Sequence, residues 1–160
     1  TATLWEGRIT QFGPTPQVYR QPADATTARV FSDPPMNFLS LAKIGNRMVF
    51  GEGQQVPASG ALAGLPEGRY TGGFRANHLS LGRHTGDAVE FPARVAVTEI
   101  TGSETFVHLD HGDQRWVGLI GGVHRLAPGD AVTVHLDPAH LYIFDAGGRL
   151  AAPAPYALAA

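Results

Sequence analysis

Seven histidines (His78, His84, His108, His111, His124, His135 and His140) carry most of the metal-binding and proton-transfer chemistry open to this 160-residue chain. A helical zinc site needs two of them on one face at i and i+4, plus a third ligand. No pair has that spacing on a predicted helix. His108 and His111 are three apart, in a strand and its turn, and strand alternation points residues at that spacing to opposite faces. The spacing therefore predicts exposed turn histidines and assigns no metal ligand. A cupin-like metal-dependent enzyme, with His and Glu clustered on barrel strands, is the enzyme alternative.

Other catalytic patterns fail on position. A nucleophile elbow places Gly-x-Ser-x-Gly on a strand-to-helix turn. Gly102-Ser103-Glu104-Thr105-Phe106 lacks the second glycine and precedes a strand. Glycoside cleavage needs two carboxyls facing each other across a cleft, and the available acids fall mostly in predicted turns. No Gly-x-x-x-x-Gly-Lys-Ser/Thr loop exists to cradle phosphates, and Lys43 is the sole lysine. No residue is assigned as catalytic, and the chain by itself is expected neither to hydrolyse a nucleotide nor to hold a cofactor.

Composition narrows the classes further. Apolar residues make up 43%, as in a globular protein. A chain of this length can bury roughly 70% of its unfolded surface. Net charge is −2 with scattered basic residues. Nucleic acid requires a concentrated basic face, so it is not an expected partner. Without cysteine there are no disulfides or thiolate metal sites. No apolar run approaches the roughly 18–20 residues of a membrane span. Thr1–Gln11 has neither the basic start nor the apolar block of a signal peptide. A first residue of Thr1 suggests a trimmed end or a piece of a longer protein.

The elements that would position any site are short strands, because the 20 glycines and 12 prolines interrupt the chain throughout. Leu4 to Gly13 reads as a hairpin turning at Glu6-Gly7. Thr15 is the expected N-cap of a short helix, with Pro16 at its first position. Asp24 caps a second helix running to about Phe31, and Pro34-Pro35 ends it. From Pro35 the pattern has period two. Met36–Ile44 and Arg47–Glu52 flank the hairpin signal Gly45-Asn46. Gln54–Gly68 reads as a loop, and Tyr70–Leu81 as a strand broken near Ala76-Asn77. Val89–Glu99 places Phe91, Ala93, Val95 and Val97 on one face. Glu104–Leu109 pairs with Gln114–Ile120 across His111-Gly112-Asp113, and Ala131–Leu136 and Leu141–Phe144 follow. That many short strands predict a mostly β barrel or sandwich. The composition break near Ser32–Pro35 divides residues 1–33, the edge of another domain, from a β domain at 34–150. Residues 151–160 read as a flexible tail.

The order of segments resembles the end of an ABC-transporter ATPase of the maltose and glycerol-phosphate importer type. Leu4-Trp5-Glu6-Gly7-Arg8-Ile9-Thr10-Gln11-Phe12-Gly13, followed by Pro16, Tyr19 and Pro22, is similar to that family's hairpin, short helix and Tyr-x-x-Pro. Ala28-Arg29-Val30-Phe31 and Pro34-Pro35-Met36-Asn37 resemble the passage into its regulatory domain. Gly73-Phe74-Arg75-Ala76-Asn77-His78 is similar to a Gly-hydrophobic-Arg-Pro-Glu-His element, with Ala76 and Asn77 in place of Pro and Glu. Gly102–His108, Gly129-Asp130 and Asp137-Pro138-Ala139-His140-Leu141-Tyr142-Ile143-Phe144-Asp145 resemble later blocks.

The resemblance implies a pair of OB-like β-barrels of the TOBE or MOP kind, preceded by the hairpin and two helices. It implies a regulatory and dimerisation role in the ATP-binding subunit of a sugar importer. The ATP and Mg sites would lie upstream, in the parent protein. The implied partners are a second copy, the transmembrane permease subunits, and a regulatory protein or small anion. The implied location is the cytoplasmic face of the membrane. Candidate contact residues are Phe74, Arg75, His78, Ser103, Glu104 and Trp116, with Phe106 and Tyr142 as further aromatic anchors. Arg75, Ser103 and Thr105 are the candidate donors to an anion if the module binds a small ligand on its own.

Overall fold

A computed structural model describes residues 1–51, 53–82, 86 and 88–159. His84, and Glu52 at the end of a predicted strand, lie outside the described residues. In chain order the elements are β1 Ala2–Trp5, β2 Arg8–Phe12, α1 Thr15–Arg20, α2 Ala25–Val30, β3 Asn37–Ile44, β4 Arg47–Phe50, β5 Gln55–Pro57 and β6 Gly68–Phe74. There follow β7 Leu79–Ser80, β8 Val89–Ile100, β9 Glu104–His111, β10 Gln114–Gly121, β11 Ala131–Leu136, β12 Tyr142–Phe144, β13 Leu150–Ala152 and α3 Pro155–Leu158. The mostly β class expected from the glycine and proline punctuation is the fold.

The chain forms two compact units, one of residues 1–74 with 139–160 and one of residues 75–138. The first holds the β1–β2 hairpin and a six-stranded sheet in the order β13-β12-β6-β3-β4-β5. Turn chemistry matches the sequence. Glu6 and Gly7 both have positive φ, 48° and 76°, as a two-residue turn of the I′ kind requires. Gly45 takes φ 54° at the head of the β3–β4 turn. Asp24 caps α2 by accepting from the Thr27 N–H at 2.7 Å. Thr15, by contrast, is not an N-cap. The helix begins at Thr15 itself with Pro14 before it, and the Thr15 hydroxyl bonds that of Thr1.

β3 alternates strictly. Leu39, Leu41 and Lys43 point inward, while Phe38, Ser40, Ala42 and Ile44 point to the other face. Lys43 is buried, with its Nζ donating to Gly45 O at 2.6 Å and Leu65 O at 3.4 Å. The segment expected as a loop carries β5 and a 3₁₀ turn at Gly60–Leu62, because Val56, Leu62 and Leu65 are drawn into the core. The expected flexible tail is likewise ordered. β13 pairs with β12, and Ala152, Ala154 and Ala157 are buried. Small alanines let α3 sit close on the sheet, against Tyr142 and Phe144 with Ala28 of α2.

β6 passes through the densest part of this unit. A Cβ on Gly72 would meet Leu41 Cδ2 at 2.8 Å on the inner face. A Cβ on Gly73 would meet Met36 Sδ at 2.7 Å and the Phe144 ring at 2.9 Å on the outer face.

The second unit is a five-stranded sheet, β10-β9-β8-β11-β7, bent until its ends approach. Leu79 of β7 comes within 3.7 Å of the position a Cβ would take on Gly118 of β10, so the sheet is a nearly closed barrel. Its interior is Val89, Phe91, Val95, Val107, Leu109, Trp116, Val134 and Leu136. The predicted single face of β8 breaks at one point. The register slips between Val95 and Val97, and this bulge turns Val97 outward to 46% exposure.

Gly73→Ala is expected to lower stability by about 1–3 kcal/mol, because the added methyl has an aromatic ring to displace. A urea unfolding midpoint indistinguishable from wild type would show that the close approach at β6 carries no packing constraint.

Candidate interaction surface

Alternation along β9 separates interior from surface. Thr105, Val107 and Leu109 are fully buried, and Phe106, His108 and Asp110 point out. Register places them in cross-strand rows on the outer face. One row is Val97–His108–Val117, the next is Glu99–Phe106–Leu119, and the third is Arg94–Asp110–Arg115. The first two rows give an apolar strip crossed by one His–Glu pair, and the third gives a charged border.

The charges in this surface are locally paired. His108 Nε2 lies 3.1 Å from Glu99 Oε1. Arg115 Nε donates to Asp110 Oδ1 at 2.9 Å, and that bond holds the Arg115 pKa above its ordinary value. Arg94 donates to Gly129 O at 2.7 Å. That contact, with Thr98 donating to Leu126 O at 3.1 Å, sews the β10–β11 connection onto the strands.

The candidate contact residues divide between core and surface. Phe74 is 0% exposed and Trp116 is 1% exposed, so both rings fill cores and neither is offered to a partner. Tyr142 is also buried, with its OH 3.1 Å from that of Tyr156. Trp116 stacks on His111, centroids 4.5 Å apart, with Phe91 edge-on at 5.3 Å. These large rings are drawn inside because each removes the most apolar area from water. Ser103 and Glu104 are exposed at the β8–β9 turn, and His78 is half-buried on a 3₁₀ turn at Ala76–His78. Of the four aromatics named as anchors, Phe106 is the one on the surface. Alternation with Val97, Val117 and Leu119 was the signal that singles it out.

Two of the three candidate anion donors are buried. Arg75 is 4% exposed. The Thr105 hydroxyl donates to Gly122 O at 2.7 Å and accepts from the His124 N–H at 3.0 Å, so it pins the chain after β10. Three of the described histidines are engaged as well. His111 donates to Pro92 O at 2.7 Å, His124 to Gly121 O at 3.0 Å, and buried His135 lies 3.2 Å from Glu90. Among the described residues no group of three His, Asp or Glu side chains is placed to hold a metal ion.

Residues 73–144 match the model of the TOBE domain. That segment is similar to a TOBE domain. The blocks at Gly73–His78 and Gly102–His108 lie within the match, and Asp137–Phe144 closes it. The chain is 33% identical over 151 residues to the uncharacterized ABC transporter ATP-binding protein y4oS of Sinorhizobium fredii, covering 91% of this chain and 39% of that one. It is 31% identical over 154 residues to the sn-glycerol-3-phosphate import ATP-binding protein UgpC of Paraburkholderia xenovorans, covering 91% and 42%. It thus spans about two fifths of the length of the curated relatives it matches, and it corresponds to C-terminal regions of ABC transporter ATP-binding proteins. It is also similar to the molybdate-bound cytoplasmic molybdate-binding protein ModG. That TM-score is 0.51 at 12% identity, over 67% of this chain and 94% of the other, a likeness of fold. Among the described residues no helix is long and apolar enough to cross a membrane.

Trp116→Ala is expected to cost about 3–5 kcal/mol, as for a large ring removed from a core. Thr105→Val should cost about 1–3 kcal/mol through the stranded Gly122 carbonyl and His124 amide. Glu104→Ala should stay within about 0.5 kcal/mol. Urea unfolding followed by circular dichroism gives all three, and an equal cost for Glu104 and Trp116 would contradict this division of core and surface.

Proposed function

We propose that this chain is the C-terminal regulatory and pairing region of the ATP-binding subunit of an ABC sugar importer. The observation that carries the reading is similarity to such subunits over nine tenths of the chain. In this reading the outer face of β8–β10 meets the same face of a second copy. A two-fold contact needs one self-complementary patch on each partner, and Phe106 at the middle of the strip is the anchor. The charged row Arg94–Asp110–Arg115 borders the contact and fixes its register. Pairing here keeps two parent subunits together while nucleotide sites elsewhere open and close. The permease subunits are reached through the parent protein, at the cytoplasmic face of the membrane. A regulatory protein or a small anion is the further partner, and nucleic acid is not one.

ATP and magnesium belong, on this reading, to the rest of the parent subunit. The residues of this chain do not fit them. The single lysine is buried against two carbonyl oxygens, and no phosphate loop is present in the sequence.

Sedimentation velocity over a range of concentrations tests the pairing. A reversible dimer is expected, and Phe106→Glu should weaken it about ten-fold or more with Tm unchanged. A chain that stays monomeric at every concentration, or a dimer indifferent to Phe106→Glu, would remove the support. ATP hydrolysis by the homogeneous chain would refute the assignment of that chemistry to other parts of the parent.

A further inference from the structure

The helices cover the outer face of the six-stranded sheet at its β12 end. Ala28, Ala154 and Ala157 close over Tyr142 and Phe144 there, with Phe38 beside them. Past that cover lies an open groove of about 420 Å³, lined from β3, β4, β6 and the turn after β12. Small-molecule sites range over about 300–1,000 Å³. Register builds the floor in two rows: Ser40 opposite Thr71, and Ala42 between Val49 and Arg69. Neighbouring positions on one sheet face lie about 5–8 Å apart. From these positions the Arg69 guanidinium and the two hydroxyls can reach a single small group.

These donors are uncommitted. Among the described residues, no side-chain hydrogen bond or ion pair engages Ser40, Arg69 or Thr71. Other polar groups of the groove are partly used. The Tyr70 OH donates to Pro66 O at 2.8 Å. Asp145 Oδ1 accepts from the Gly147 and Arg149 N–H groups at 2.8 and 2.9 Å, which leaves Oδ2 for another donor. Arg69 and Asp145 line one groove and form no ion pair with each other.

We propose that the groove binds a small hydroxylated anion, a sugar phosphate or sugar acid. Its anionic group lies on Arg69, whose planar fork suits an oxyanion. Ser40 and Thr71 donate to the same group. Hydroxyls on the rest of the ligand donate to Asp145 Oδ2, and its C–H face lies on Ala42 and Val49. A bare anion leaves the Asp145 carboxylate as an unanswered like charge. An uncharged sugar leaves Arg69 unanswered. The proposal is independent of the pairing reading, since every lining residue belongs to the first unit.

Titration calorimetry on the whole chain tests it, with glucose 6-phosphate and gluconate as probes. Glucose and inorganic phosphate are the controls. Saturable binding of at least one probe is expected, and the two probes distinguish phosphate from carboxylate. Arg69→Gln should weaken it about ten-fold or more, and Ala42→Phe, which fills the floor without changing charge, should abolish it. Phe106→Glu should leave it unchanged. Circular dichroism confirms that each variant folds. No saturable heat with either probe at millimolar concentration, equal binding of inorganic phosphate or glucose, or full affinity in Arg69→Gln would each overturn the proposal.

Discussion

Each inward side chain on β9 commits its two neighbours to the outside, and this period-two constraint decides what the barrel can do. Thr105, Val107 and Leu109 fill the interior because Trp116, Val95 and Phe91 close the same space. Phe106, His108 and Asp110 are then external whatever their own hydropathy. The apolar strip on that face follows from the register of three paired strands rather than from a loop. A surface built on strands is held by the ladder itself, so its geometry is as rigid as the core behind it. The β8 bulge adds the last member by rotating Val97 from the interior phase to the exterior one.

Much of this is legible in the sequence. The β3–β4 hairpin, the β9–β10 pairing and the break after β6 follow from Gly45-Asn46, His111-Gly112-Asp113 and Ala76-Asn77, because turn residues act locally. The ordered family blocks located the region similar to a TOBE domain. What escaped was set by tertiary contact. Alanines in the last ten residues look like a tail until Tyr142 and Phe144 give them a surface to pack on. Val56 and Leu62 look like loop residues until the core has a vacancy for them. Trp116 and Phe74 looked like interface anchors because size favours burial equally in a core and in a contact. Val97 was misplaced because a bulge leaves no mark in the alternation that precedes it.

The two units solve crowding differently, and their surfaces differ for that reason. In the barrel, large rings fill the middle, and a half-exposed His–Glu pair lies among the external rows. In the six-stranded sheet, β6 answers crowding by removing side chains altogether at Gly72 and Gly73. The same sheet keeps short side chains at Ser40, Ala42 and Thr71 on the face the helices leave uncovered. Short side chains on an uncovered face make a depression, whereas long ones would have made a flat hydrophilic surface.

The allocation of polar groups bears on what the described residues can do. Several described polar side chains are committed to backbone. The Lys43 ammonium holds two carbonyls, the Thr105 hydroxyl ties Gly122 and His124, and Asp24 caps α2. Such bonds cost little to keep and much to strand, since a buried unsatisfied group loses about 1–3 kcal/mol. A nucleophile or general base must be free to change its bonding during a reaction, and a group fixed this way is not free. The uncommitted donors at Ser40, Arg69 and Thr71 lie on an open sheet face, where water keeps them unactivated. Free donors in water suit recognition of an anion, and buried ones held by backbone suit stability.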